Sequence, residues 1–150
     1  TMRTGTRTFE AAAFLRRSGA DTGDVKKLFQ NDLKGTISRY DIIRTAKMYR
    51  EDIAIAAVDH TVGRVTAAQA ADELLNISGI DASFVLFPDE DGERTIISAR
   101  SMGNTNVQVV LEKLGGGGNA ATAGAQVKNP DVNAVLQDLI RAIDQYYEED

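Results

Sequence analysis

Short apolar runs alternate along this chain with longer stretches of helical spacing. Ile53-Ala54-Ile55-Ala56-Ala57-Val58 is continuously apolar, which predicts a buried strand. A loop over 59–64 follows. From Thr66 the residues Ala67, Ala70, Ala71, Leu74 and Leu75 recur at helical spacing, until Gly79 stops the pattern. Ala82 to Pro88 carries Phe84, Val85, Leu86 and Phe87 and predicts a second strand. Asp91-Gly92 is a hairpin signal, so Arg94 to Arg100 is expected as the third strand. Asn106 stands where it would cap a helix over Val107–Leu114, and Ala123 to Lys128 predicts a fourth strand. Pro130 sits where a helix starts. From Val132 to Tyr147 the apolar positions then follow the i, i+3, i+4, i+7 rule over four turns. That last helix most simply covers one sheet face; a dimer contact is the alternative.

Strands alternating with helices, plus one hairpin, argue for an α/β domain with a mixed sheet from about Asp52 onward. Ahead of it the spacing predicts three helices, Thr8–Arg17, Asp24–Asn31 and Thr36–Arg50. Ile42, Ala46 and Tyr49 share one face of the third, and its arginines and lysine form a solvated side. This segment, residues 1–50, reads as the end of one unit plus a helical connector. The chain enters its first helix with almost no lead-in, as a piece of a longer protein would.

Composition narrows the function classes. The 150 residues are 43% hydrophobic and 26% charged, ordinary for one domain with a real core. The absence of cysteine excludes a disulfide scaffold and a thiolate metal site. His60 is the sole histidine; it makes no His-rich metal site and reads as a loop residue. A net charge of -5 argues against sequence-independent binding to long nucleic acid, yet allows a small anionic ligand in a local pocket. No apolar run reaches membrane-spanning length. The sequence contains no Gly-x-Ser-x-Gly, no lysine-bearing phosphate loop and no dinucleotide fingerprint, so no complete catalytic apparatus is visible.

The feature around which the chain is organised is Gly115-Gly116-Gly117-Gly118-Asn119-Ala120-Ala121-Thr122-Ala123-Gly124. Ordering four glycines is entropically expensive, so the run either ends a helix and connects, or lets a backbone approach a ligand such as a phosphate. At the end of the third strand, alternation puts Ser98 and Arg100 on one face. An arginine beside hydroxyls and near a glycine loop makes a plausible phosphate site; a surface ion pair is the plainer role for Arg100.

Ile97-Ser98-Ala99-Arg100-Ser101, Asn106-Val107-Gln108 and the stretch from Gly115 to Gln126 resemble the DHH-associated substrate-binding domain of the DHH phosphoesterases. The resemblance is greatest to the C-terminal part of membrane-anchored cyclic-di-AMP phosphodiesterases of Gram-positive bacteria. Arg7 to Ala12 and Gly19 to Thr22 resemble the tail of their catalytic DHH domain, and Val25 to Gln30 the connector. The resemblance implies a fragment, residues 51–150 being the substrate-binding domain, of an enzyme that splits cyclic di-AMP into linear pApA. Manganese ions would be held by the missing DHH half, with no cofactor in this fragment, which would be inert alone. The parent would be anchored in the cell membrane with this part in the cytoplasm. Gly116, Gly117 and Gly118 would present N–H groups to a phosphate or nucleotide edge, and Ser98, Arg100 and Ser101 would complete the pocket. The family pattern ends in Gly-Gly-Gly-His, whereas this chain has Asn119. Asparagine neither charges nor stacks, so weaker binding by ~1 kcal/mol is expected, and a gain for Asn119→His. Alternatives are a fragment of a DHH-family nuclease or phosphatase acting on very short oligonucleotides, and an interaction module with a degenerate site.

Overall fold

The computed structural model describes residues 22–149, so the helix expected over Thr8–Arg17 lies outside the described residues. The described residues fall into two compact units, the second beginning at Arg39. Helix α1, Thr22–Ile43, runs through that point. It replaces the two helices expected over Asp24–Asn31 and Thr36–Arg50. Gly35 is simply carried in its interior, a tolerated cost of about 1 kcal/mol. The Thr36 hydroxyl donates to the Asp32 carbonyl at 3.0 Å, within the helix.

The helix stops where the sequence still looks helical. Thr45 donates from Oγ1 to the Ile42 carbonyl at 2.7 Å, and Lys47–Tyr49 becomes a short strand, β1. Arg50 and Glu51 adopt left-handed φ values of 56° and 69°, which turns the chain into β2, Ile53–Ala57. Neither residue is the glycine or asparagine that usually announces such a turn.

From there the elements alternate. Helix α2 is Arg64–Leu75, β3 is Ala82–Pro88 and β4 is Thr95–Ser101. Helix α3 is Val107–Glu112, β5 is Gly117–Gly118, β6 is Thr122–Val127 and α4 is Val132–Glu149. Asp131, rather than Pro130, opens α4: its carboxylate accepts from the N–H groups of Asn133 and Ala134 at 3.1 and 3.2 Å. The strands form one six-stranded sheet in the order β1-β2-β3-β4-β6-β5. Only β2 and β3 run parallel, joined through α2; the remaining pairs are antiparallel, so the sheet is mixed.

Two cores flank the sheet. On one face Ile53, Phe84, Ile97 and Ala99 pack with Val110 and Leu111 of α3 and Leu139 and Ile143 of α4. On the other, Ala54, Val85, Phe87 and Ile96 meet Ala67, Ala70, Ala71 and Leu74 of α2. Three alanines on that helix bring its backbone close to the sheet, close enough for the buried Ser83 hydroxyl to donate to the Ala71 carbonyl at 2.7 Å. Helix α2 packs against β3 and β4.

Candidate functional site

The glycine run does three structural jobs before it can do any chemistry. Gly115 has φ 79° and ends α3. Its N–H donates to the Glu112 carbonyl at 3.1 Å, while the Gly116 N–H donates to the Leu111 carbonyl at 2.8 Å. That pair of bonds is a Schellman cap. A Cβ on Gly116 would lie 2.4 Å from the Gly124 oxygen, so the chain there is pressed against β6. Gly118 has φ 145°, and a Cβ on it would lie 2.3 Å from the Thr122 oxygen. Gly117 differs: nothing lies within 4 Å of where its Cβ would be. The run is thus both a helix stop and a close backbone approach, with Gly117–Gly118 forming the edge strand β5.

Register brings Ser98, Gly124 and Gly117 side by side across three strands. Arg100 lies opposite Thr122, and Ile96 opposite Gln126. Period-two alternation puts Ile96, Ser98, Arg100, Thr122, Gly124 and Gln126 on the face that α2 packs against. At the β6 and β5 end of that face a groove of about 450 Å³ opens, lined by Arg64, Ile96, Ile97, Gly115, Gly116, Gly117, Gly124, Ala125 and Gln126. Gly116 and Gly117 therefore line it directly. Ser98 adjoins its floor through Gly124, and Arg100 stands one strand position pair further along.

Arg100 is mostly covered. Its Nε donates to Oδ1 of Asp72 on α2 at 2.9 Å, and its Nη1 to the Ala99 carbonyl at 2.8 Å. Asp72 is largely exposed, so this pair holds the guanidinium in place more than it stabilises the fold. Nη1 keeps one further N–H, and Nη2 is uncommitted among the described residues. At the other end Arg94 sits among acceptors. Its Nε donates to Asp91 at 2.9 Å and its Nη1 to Oε1 of Gln126 at 2.8 Å. The Asp91 carboxyl is held below its usual value, first by the Glu93 N–H and then by Arg94.

Two other expected site residues are placed elsewhere. Ser101 follows Arg100 in sequence, so alternation turns it to the opposite face. There it is buried, and its hydroxyl accepts from the Gly103 N–H at 3.1 Å. Asn119 holds the turn between β5 and β6. Its Oδ1 accepts from the N–H groups of Ala121 and Thr122, both at 2.9 Å. The turn then docks, the Ala121 carbonyl accepting from Ser101 N–H and the Ala120 carbonyl from Val107 N–H. Asn119→Ala is expected to cost about 1 kcal/mol in chemical denaturation, because those two exposed donors revert to water. A histidine ring nitrogen offers one acceptor in place of two bonds, so Asn119→His should also lose stability, by about half as much.

Reading the sequence alone missed Gly124, Gln126, Arg94 and Asp72. The first two were accessible: the alternation that groups Ser98 with Arg100, applied to the following strand, groups Thr122, Gly124 and Gln126. Asp72 and Arg94 depend on how α2 and the β3–β4 hairpin pack, which no local pattern carries. No group of three or more His, Asp or Glu side chains among the described residues could hold a metal ion. No helix among them is long and apolar enough to cross a membrane.

The fold and sequence have clear relatives. The chain is 43% identical over 149 residues to "Cyclic-di-AMP phosphodiesterase PdeA" of Listeria monocytogenes, covering 98% of this chain and 22% of that protein. It is 45% identical over 151 residues to "Cyclic-di-AMP phosphodiesterase GdpP" of Geobacillus thermodenitrificans, covering 99% and 23%. The chain thus spans less than a quarter of the length of those relatives. A solved exopolyphosphatase-related protein from Bacteroides fragilis shares the fold, with a TM-score of 0.67 at 18% identity over 88% of this chain and 41% of that one. Residues 50–149 match the model of the DHHA1 domain. With two thirds of its residues in that match and a mixed sheet organised around the glycine hairpin, the chain belongs to the DHHA1 domain family.

Proposed function

We propose that this chain is the nucleotide-binding C-terminal part of a DHH-family phosphodiesterase that hydrolyses cyclic di-AMP to linear pApA. The observation that carries the reading is the 43% and 45% identity, along 98% and 99% of the chain, to two proteins named as cyclic-di-AMP phosphodiesterases. The geometry supports it. A floor of Gly117 and Gly124 lets a flat or anionic group approach backbone, and Ser98 and the uncommitted Nη2 of Arg100 supply donors beside it.

Residues 51–150 form the binding domain, and residues 1–50 the tail of the catalytic domain with its connector. Water activation and phosphate cleavage belong to the DHH half, which would hold manganese. In the whole enzyme this part faces the cytoplasm and the parent is membrane-anchored. Ser98, Arg100, Gly116 and Gly117 contact the ligand. Gly118 and Asn119 shape the hairpin that presents them, and Ser101 buttresses the loop after β4.

Calorimetric titration of the chain with pApA and cyclic di-AMP, with cyclic di-GMP as control, tests this. Arg100→Ala should weaken adenylate binding by roughly tenfold or more, the loss of a charge-assisted hydrogen bond. Its melting temperature should scarcely move, since the Asp72 partner is exposed. Equal affinity in parent and variant would remove Arg100 from the site.

A further inference from the structure

We propose that Gln126 is a base-contacting residue, fixed by Arg94 as a hydrogen-bond donor at the end of the groove opposite Arg100. An arginine has no acceptor, so the 2.8 Å contact from Arg94 Nη1 assigns the amide oxygen of Gln126 unambiguously. With Oε1 turned to Arg94, the Nε2 group and its two N–H donors are what Gln126 offers a ligand. Arg94 is itself held by two carboxylates. It is anchored by Asp91 at 2.9 Å and by Asp89 at 3.5 Å, and Asp89 is also approached by Arg64 at 3.7 Å. Gln126 and Arg64 are the lining residues with polar side chains, so the side chains of the groove present donors.

Spacing specifies the ligand. On β6, Thr122 lies beside Arg100 and Gln126 lies four residues on. At 3.3 Å per residue the two ends are about 13 Å apart. Between them the floor is Gly124 and Gly117, with Ile96 at the Gln126 end. A guanidinium, a flat side-chain-free floor and a fixed amide donor, in that order, suit one extended nucleotide. Its phosphate meets Arg100, its sugar crosses the glycines, and a ring nitrogen of its base accepts from Gln126. The Nε2 group donates to a ring nitrogen, and adenine and guanine both carry one, so this contact secures a purine without choosing between them.

This inference rests on the reading of the groove as a nucleotide site, and the experiment separates the two. Parent chain, Gln126→Ala and Gln126→Glu are titrated calorimetrically with pApA, pGpG and ribose 5-phosphate. The glutamate keeps a partner for Arg94 but has no N–H, so it isolates the donor. Both variants should bind pApA and pGpG roughly five- to tenfold more weakly, by similar factors, with ribose 5-phosphate unchanged. In the parent, the Gln126 side-chain amide resonances should shift on adding pApA but not ribose 5-phosphate. Unchanged pApA affinity in both variants would overturn the inference and leave the nucleotide reading standing. Equal weakening of all three ligands would overturn it too, by placing Gln126 on the sugar-phosphate. If the parent binds no nucleotide at millimolar concentration, both readings fall.

Discussion

Gly118→Ala will destabilise the sheet-bearing unit by about 1–3 kcal/mol, while Gly117→Ala will leave its stability within about 0.5 kcal/mol of the parent. The two residues are adjacent in β5, and both are exposed. Composition gives no reason to separate them. The difference lies in backbone and neighbours. At Gly118 the φ of 145° is one that L side chains rarely adopt, and a Cβ would meet the Thr122 oxygen at 2.3 Å and the Ala123 Cα at 2.6 Å. Both obstacles are backbone of the paired strand, so the hairpin itself must open to admit a methyl group. The damage should spread, because Ala120 and Ala121 at the hairpin tip accept hydrogen bonds from Val107 and Ser101. At Gly117 the Cβ position is open. Its methyl would stand on the groove floor beside Gly124, and there the proposed function expects an effect: weaker nucleotide binding in a fully folded protein. Denaturation curves measure the first contrast and calorimetry the second. A Gly118→Ala variant as stable as the parent would mean that β5 is not held against β6 as described.

The same glycines show how much of the molecule could be read from its sequence. The buried runs at Ile53 and Ala82, the Asp91-Gly92 hairpin, the Asn106 cap and the amphipathic last helix each carry their own local signal, and the structure has all five. Asn106 indeed accepts from the Val109 N–H at 3.2 Å. The errors fall where local signals mislead. Gly35 looks like a boundary but is passed through by α1, because one glycine costs less than breaking a helix of 22 residues. Arg50 and Glu51 take left-handed conformations that their side chains disfavour, so β1 lies where the spacing predicts helix. Strand β5 is two glycines, and two side-chain-free residues have no pattern of alternation to read. For the candidate site, the family resemblance groups Ser101 with Ser98 and Arg100, although the pleat separates odd from even positions. The family resemblance directed attention to Asn119 as a ligand contact. Its two bonds to Ala121 and Thr122 give it a turn-forming duty that is visible only once the hairpin is built.

Phe84→Ala should be the most damaging single core truncation, at about 3–5 kcal/mol. Phe84 is fully buried in β3, with three strands on one side of β3 and two on the other, and its register partners are Ile55 and Ala99. Ala99 is already small, and Ile55 is held in its own strand, so neither can swing in to fill the space. The cluster above it is built from two helices, with Val110 and Leu111 on α3 and Leu139 and Ile143 on α4. Collapse would require both helices to move together, which is why little of the cavity should relax away. A fall in melting temperature on the order of 15 °C follows for a unit of this size. Val65→Ala is the control, since Val65 is 71% exposed and its truncation should stay within about 0.5 kcal/mol. Phe84 faces α3 and α4, whereas Ser98 and Arg100 lie on the opposite face of the sheet. At a temperature where the variant remains folded, its nucleotide affinity should therefore stay within about threefold of the parent. A larger loss in the folded variant would show that the α3–α4 side of the sheet sets the positions of Ser98 and Arg100, rather than α2 through Asp72 alone.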